Sequence, residues 1–185
     1  LTNSAVLAER MSLLSSHGIT RDPSQMTHES DGEWYYQQVD LGFNYRITEM
    51  QAALGLSQLD RLDYYVSRRH EFAMRYNELL KDLQLVIPYQ HDDGYSAFHL
   101  YIIRLKDEKK HKKVFEYLRY KGVLVNLHYI PVHTHPYYQQ TNVEFTDLNH
   151  SEQYYKDAIS LPLYPTMTEQ QQEFVISSLR EALQL

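Results

Sequence analysis

The chain has 185 residues, enough for one domain with a substantial core or for one small domain plus part of another. Its 43% hydrophobic and 23% charged content is ordinary for a soluble globular protein, and a net charge of −6 argues against a nucleic-acid partner. The absence of cysteine excludes a disulfide framework and a thiolate metal site, and no apolar run approaches the ~18 residues that span a bilayer, so no membrane partner is expected.

In chain order, Asn3 or Ser4 can cap a short helix through Ser16, with Val6, Leu7, Met11 and Leu14 on its buried side and Gly18 closing it. Residues 19–40 read as a long polar loop containing the aromatic trio Trp34, Tyr35 and Tyr36. Thr48 and Gln51 have capping-box spacing. An apolar stripe follows at Ala52, Leu56, Leu59, Leu62, Val66, Ala73, Tyr76, Leu80 and Leu83, which predicts one uninterrupted helix of about 50 Å. Leu85–Tyr89 is a short strand candidate and Ala97–Leu105 the best one. In the latter, Phe98, Leu100 and Ile102 are expected on one face and Tyr101 and Ile103 on the other. Asp107 caps a helix to Lys121, with Val114, Phe115 and Leu118 inside and Gly122 at its end. Val123–Leu127 reads as a third strand, 128–138 as a loop and Ser151–Ser160 as a short helix. Thr168 and Gln171 open a final helix carrying Phe174, Val175, Leu179, Ala182 and Leu183. The order predicts a small α+β domain, a sheet with helices on one face.

The chemistry concentrates just before the long helix. Asn44, Tyr45 and Arg46 place an amide, a phenol and a guanidinium at a helix mouth, a combination suited to an anion; the plain alternative is an ordinary loop with a cap. A second concentration is His128, Tyr129, His133 and His135. Three histidines suggest a metal, but their spacing matches no helical zinc motif and no carboxylate or thiolate lies within the run, so no metal is expected. The plain alternative is a polar loop held by Pro131 and Pro136. The run Lys109–Lys113 reads as a solvated helix face.

Gly42-Phe43-Asn44-Tyr45-Arg46-Ile47-Thr48-Glu49-Met50-Gln51-Ala52-Ala53-Leu54-Gly55, then Gln58-Leu59, resembles the signature of the DegT/DnrJ/EryC1/StrS sugar aminotransferases. The resemblance takes in His17-Gly18-Ile19-Thr20-Arg21, Trp34-Tyr35-Tyr36, His128-Tyr129-Ile130-Pro131-Val132-His133 and Leu161-Pro162-Leu163-Tyr164-Pro165, and so covers essentially the whole chain. It points to the branch that acts on UDP-linked 4-keto-6-deoxy-N-acetylhexosamines, as in pseudaminic acid synthesis. It implies an α/β protein of the aspartate aminotransferase fold (fold type I), pyridoxal phosphate as cofactor, glutamate as amino donor and a homodimer with shared active sites; a cytoplasmic location is the default expectation for a chain with no visible signal peptide or spanning run. Asn44 would reach the cofactor phosphate of the other subunit. Arg46, Tyr45, His17, His128, Tyr129 and His133 would line the substrate side.

In the family, the lysine that holds the cofactor lies upstream of the stretch matched by Leu1-Thr2-Asn3, whereas the first lysine here is Lys81, out of register. The resemblance therefore implies that no catalytic residue is carried by this chain, and that it is the C-terminal portion of a longer protein, inactive by itself; a processed or tagged small protein is the alternative. Residues 1–46 would be the tail of the large cofactor domain, 47–83 the linking helix and 84–185 the small domain. Two other readings stay open: a stand-alone nucleotide-sugar-binding or subunit-interaction module without catalysis, and a metal-dependent enzyme built on the loop histidines.

Overall fold

The computed structural model describes residues 1–141 and 146–184. It divides into two compact units, Leu1–Asp60 and Arg61–Leu185.

The first unit holds α1 (Ala5–Ser15), β1 (Ile19–Thr20), β2 (Gln37–Gln38) and α2 (Glu49–Leu59). Ser4 caps α1 through its hydroxyl, which accepts from the Leu7 N–H. The end of α1 is subtler than a terminal glycine. His17 takes the left-handed conformation at φ 64°, Gly18 follows at φ 69°, and the Gly18 N–H returns to the Leu13 carbonyl at 2.9 Å. The long loop expected over 19–40 contains an antiparallel pair, Ile19 against Gln38 and Thr20 against Gln37. Gln37 is buried and organises the excursion between the strands: its Oε1 accepts from the Thr27 N–H at 2.8 Å and its Nε2 donates to the His28 carbonyl at 3.2 Å.

The expectation of a buried side on α1 is not met. Neither α1 nor α2 buries any residue. Val6, Leu7 and Met11 on α1, and Met50, Leu54, Leu56 and Leu59 on α2, are all exposed.

The single helix expected over 47–83 is two helices. It starts as predicted, with the capping box closed in both directions: the Gln51 N–H donates to Thr48 Oγ1 at 3.3 Å and the Thr48 N–H to Gln51 Oε1 at 3.0 Å. The helix then stops at Leu59, and α3 runs from Leu62 to Leu80. Asp60 stays helical, but Arg61 sits at φ −107°, ψ 0°, outside the helical well. Neither proline nor glycine stands between Leu59 and Leu62, and neither of those leucines is buried, so no packing at the junction holds Arg61 in the helical well. The stripe on α2 meets no core in its unit, while Phe72, Ala73, Tyr76 and Leu80 on α3 are buried in the second unit. Hydrophobic spacing continued across a junction that packing did not bridge.

The second unit is built on a three-stranded antiparallel sheet in the order β3-β4-β5, with β3 at Leu85–Val86, β4 at Tyr101–Leu105 and β5 at Ala158–Leu161. β4 is shorter than expected because Phe98 adopts φ 45°, which no strand tolerates. Tyr101, Ile103 and Leu105 point into the core, and Ile102 and Arg104 to the other face. The core face packs on α3, on α4 (His111–Tyr120), which follows a 3-10 turn at Glu108–Lys110, and on α7 (Glu169–Gln184). Asp107 caps that turn and Gly122 closes α4 in the left-handed conformation at φ 83°, both where the sequence places them. Thr168 and Gln171 exchange the expected reciprocal bonds at 2.9 and 3.2 Å. Phe174, expected inside, is half exposed; Gln172 is buried instead, donating to the Phe72 carbonyl at 2.8 Å and accepting from Arg75 at 2.8 Å.

Two assignments change at the sheet. The helix expected over 151–160 is α6 (Asn149–Asp157) followed directly by β5. Val123–Leu127, expected as the third strand, forms among the described residues an isolated bridge between Asn126 and Ser160, and the third strand of the sheet is β5. Helices are also not confined to one face. On the face away from the core, Arg104 of β4 makes a two-pronged ion pair with the buried Asp157 of α6, both bonds at 2.7 Å, beneath the Tyr154 ring. That bond to Asp157 is the main reason the Arg104 pKa is raised.

Candidate functional site

The loop that carries Asn44, Tyr45 and Arg46 is held to the end of α1 by backbone hydrogen bonds, and Asp40 just before it is ion-paired with Arg10 of α1. The Phe43 N–H donates to the Leu14 carbonyl at 2.7 Å, the His17 N–H to the Phe43 carbonyl at 2.9 Å, and the Tyr45 N–H to the Ser15 carbonyl at 2.9 Å. Ser16 and Asn44 pair as an isolated antiparallel bridge. The His17 carbonyl also accepts from Gln38 Nε2 at 3.0 Å. Because main-chain groups fasten the loop, its side chains are left for other work: Asn44, Tyr45 and Arg46 are all exposed, and the Tyr45 ring stacks on Phe43 at 5.1 Å. His17 shares this neighbourhood through its backbone. Trp34 and Tyr36 are exposed in the same unit.

The second group sits in the other unit, on the segment leaving Val123–Leu127. Val132–Thr134 forms a 3-10 turn and Pro136–Gln139 a short helix, α5, where a plain loop was expected, α5 opening with proline at its first position. His128 is half-buried, and its Nδ1 lies 2.7 Å from the Ser160 hydroxyl of β5. His133 Nε2 lies 3.0 Å from Glu152 Oε1 on α6. Tyr129 is exposed and meets the His128 ring edge-on at 4.7 Å. Among the described residues no cluster of three potential ligands able to hold a metal occurs, and none of their helices is long and apolar enough to cross a membrane.

Reading the sequence missed Ser160 and Glu152, the two side chains that fasten the histidines. Ser160 lay inside an expected helix, so the alternation of β5 went unread; Glu152 is 19 residues from His133, with no local signal linking them. The lysine run is also more than a solvated face, since Lys110 Nζ donates to the Leu183 carbonyl at 2.8 Å near the end of α7. Lys81, the first lysine, is exposed and ion-paired with Glu78 on its own helix.

The architecture is that of about half of a fold type I aminotransferase. The solved structure of Helicobacter pylori PseC, an aminotransferase involved in the biosynthesis of pseudoaminic acid, superposes with a TM-score of 0.87 at 28% identity, over 99% of this chain and 47% of that one. The DegT/DnrJ/EryC1/StrS aminotransferase family model matches residues 1–180, and the chain belongs to that family, whose members depend on pyridoxal phosphate. Among curated relatives, the spore coat polysaccharide biosynthesis protein SpsC of Bacillus subtilis is 37% identical, across 97% of this chain and 48% of SpsC. The UDP-4-amino-4,6-dideoxy-N-acetyl-beta-L-altrosamine transaminase of Helicobacter pylori is 30% identical, across 90% of this chain and 43% of that protein. The chain thus spans about half the length of the curated relatives it matches.

Proposed function

We propose that this chain serves a nucleotide-sugar aminotransferase that moves an amino group from glutamate to the 4-keto carbon of a UDP-linked 6-deoxy-N-acetylhexosamine. The observation that carries the reading is the loop at 42–46. Its backbone is fixed to the end of α1 while Asn44, Tyr45 and Arg46 are left exposed beside the capped start of α2, in a chain matched to the family over nearly its full length.

The residues present fit the phosphate end of pyridoxal phosphate and not its aldehyde end. The Asn44 amide and the Arg46 guanidinium are hydrogen-bond donors suited to phosphate oxygens. In this reading the lysine that holds the cofactor is none of this chain's own; Lys81, the first in the sequence, is exposed and ion-paired with Glu78. When bound, the cofactor supplies the electron sink that lets an amino group pass between two substrates. This chain's share is to grip the phosphate with Asn44, to face the shared site with Arg46 and Tyr45, and to present His17, His128, Tyr129 and His133 to the nucleotide sugar. Several large apolar side chains of α1, and of two sides of α2, are exposed. Surfaces of that kind mark a covering partner, which in this reading is the large domain and the second subunit of a cytoplasmic homodimer. The domain division follows the same reading: 1–46 belongs with the large domain, 47–83 connects, and 84–185 is the small domain.

The test is an assay of the intact protein with cofactor, glutamate and a UDP-linked 4-keto-6-deoxy-N-acetylhexosamine. The expected result is glutamate-dependent formation of the 4-amino sugar. Turnover confined to a 3-keto or thymidine-linked sugar would overturn the substrate assignment, and no amination of any keto sugar would overturn the reading as a whole.

A further inference from the structure

We infer that Ser160 is a positioning residue for His128, presenting the Nε2 edge of that ring as a hydrogen-bond donor to an anionic or carbonyl oxygen of the nucleotide sugar. The inference rests on the substrate role proposed above for His128.

Ser160 is among the most constrained residues of the second unit. Its backbone is paired on both sides: it opposes Ile102 of β4 in register, and it exchanges two bonds with Asn126, Ser160 N–H to the Asn126 carbonyl at 2.8 Å and Asn126 N–H to the Ser160 carbonyl at 3.2 Å. Ile159 and Leu161 point into the core, so Ser160 projects from the opposite face, where it is 4% exposed. A hydroxyl on so fixed a strand has little freedom to follow a moving partner.

The partner is the His128 ring, with Nδ1 at 2.7 Å from the hydroxyl oxygen. Two arrangements satisfy that distance. In one, Nδ1–H donates to the serine, and the serine proton must find another acceptor. In the other, the serine donates to Nδ1. Among the described residues His128 is the side chain that Ser160 Oγ contacts, so the second arrangement leaves no buried O–H proton without an acceptor, an omission that costs more than a hydrogen bond returns. In the neutral ring the proton then resides on Nε2. A ring held this way offers N–H to its ligand, which suits a diphosphate or uracil oxygen and not a hydroxyl proton.

The test has two arms. In the first, ¹⁵N spectra of the full chain, without cofactor or sugar, read the tautomer of the His128 ring at neutral pH. The wild type is expected to show the Nε2–H form, and Ser160→Ala, which removes only one oxygen, a mixture. A wild-type ring already mixed, or unchanged by Ser160→Ala, would overturn the inference. In the second, the intact enzyme is assayed with the UDP-linked keto sugar. Ser160→Ala is expected to raise KM for the sugar about two- to tenfold, the worth of one hydrogen bond, with kcat and the KM for glutamate little changed. The same change in a His128→Ala background should add nothing. If His128→Ala raises KM and Ser160→Ala does not, the positioning role fails and the substrate role of His128 stands. If His128→Ala leaves KM unchanged, the substrate role fails and this inference with it.

Discussion

Gly18 and Gly42 meet backbone against backbone. A Cβ on Gly42 would lie 2.3 Å from the Gly18 nitrogen and 2.6 Å from the Leu14 carbonyl oxygen, and a Cβ on Gly18, already at φ 69°, would lie 2.1 Å from the Asp40 oxygen. That contact brings the loop carrying Asn44 against the end of α1. Main-chain atoms cannot swing aside as a side-chain tip can. Gly42→Ala is therefore expected to destabilise the protein by about 1–3 kcal/mol, the usual range for overpacking, and to weaken cofactor retention by displacing Asn44. Thermal melts and dialysis of the loaded enzyme measure both, and wild-type values in each would show that the loop does not depend on this approach.

Asn44→Ala should separate grip from fold. The side chain is exposed and makes no part of the loop's backbone fastening, so the apo melting temperature should hold. A hydrogen bond to a charged group is worth about 1.5–3 kcal/mol, so cofactor affinity should fall roughly ten- to a hundredfold. Mixed dimers then decide whether the residue acts across the interface. Pairing an Asn44→Ala subunit with one lacking the cofactor-holding lysine leaves one complete site if Asn44 serves its neighbour. Placing both changes in one chain beside a wild-type chain then damages both sites. Equal activity in the two arrangements, or the reverse order, would refute action in trans.

Tyr76 and Tyr101 should make the second unit sensitive to alkali. The rings stack at 4.8 Å, both are fully buried, and their hydroxyls donate to the Pro162 carbonyl at 3.0 Å and to Asn77 Oδ1 at 2.6 Å. Burial pushes both pKa values well above the ordinary 10.0, and for Tyr76 the neighbouring Tyr101 adds to the shift. A raised pKa means that the unfolded chain ionises first. Their contribution is complete below pH 10 and is lost as pH rises beyond it toward the folded-state values. The slope is about 1.4 kcal/mol per pH unit for each tyrosine. Urea titrations between pH 8 and about 11 should show stability falling with pH, and Tyr76→Phe or Tyr101→Phe should flatten the fall while lowering the neutral-pH value by about 1 kcal/mol. An unchanged slope in both variants would show that these phenols are not the groups responsible.

Much of what the sequence determined by itself is local. Thr48 with Gln51 and Thr168 with Gln171 form their reciprocal bonds, Asp107 caps its turn, and Gly122 takes the left-handed position after α4. Each of these depends on residues within a few positions of one another, so the spacing carries the whole of the physics. The signature from Gly42 to Leu59 was legible for the same reason: it is contiguous.

What only the tertiary structure decided was settled by contacts between distant residues. The apolar stripe runs on through Leu59 and Leu62, yet the helix breaks there, because neither residue is buried to hold the junction helical. Residues 158–161 become a strand because Ile103 and Arg104, more than fifty residues earlier, offer them a pairing edge; that edge outweighed the helical reading of 151–160. The candidate site follows the same division. The histidines could be named from the chain, but Ser160 and Glu152, which hold them, lie 32 and 19 residues away and were brought to them by the pairing of β5 and the packing of α6. Spacing along one chain encodes what a segment can form by itself; it does not encode which distant group will be standing beside it when the core closes.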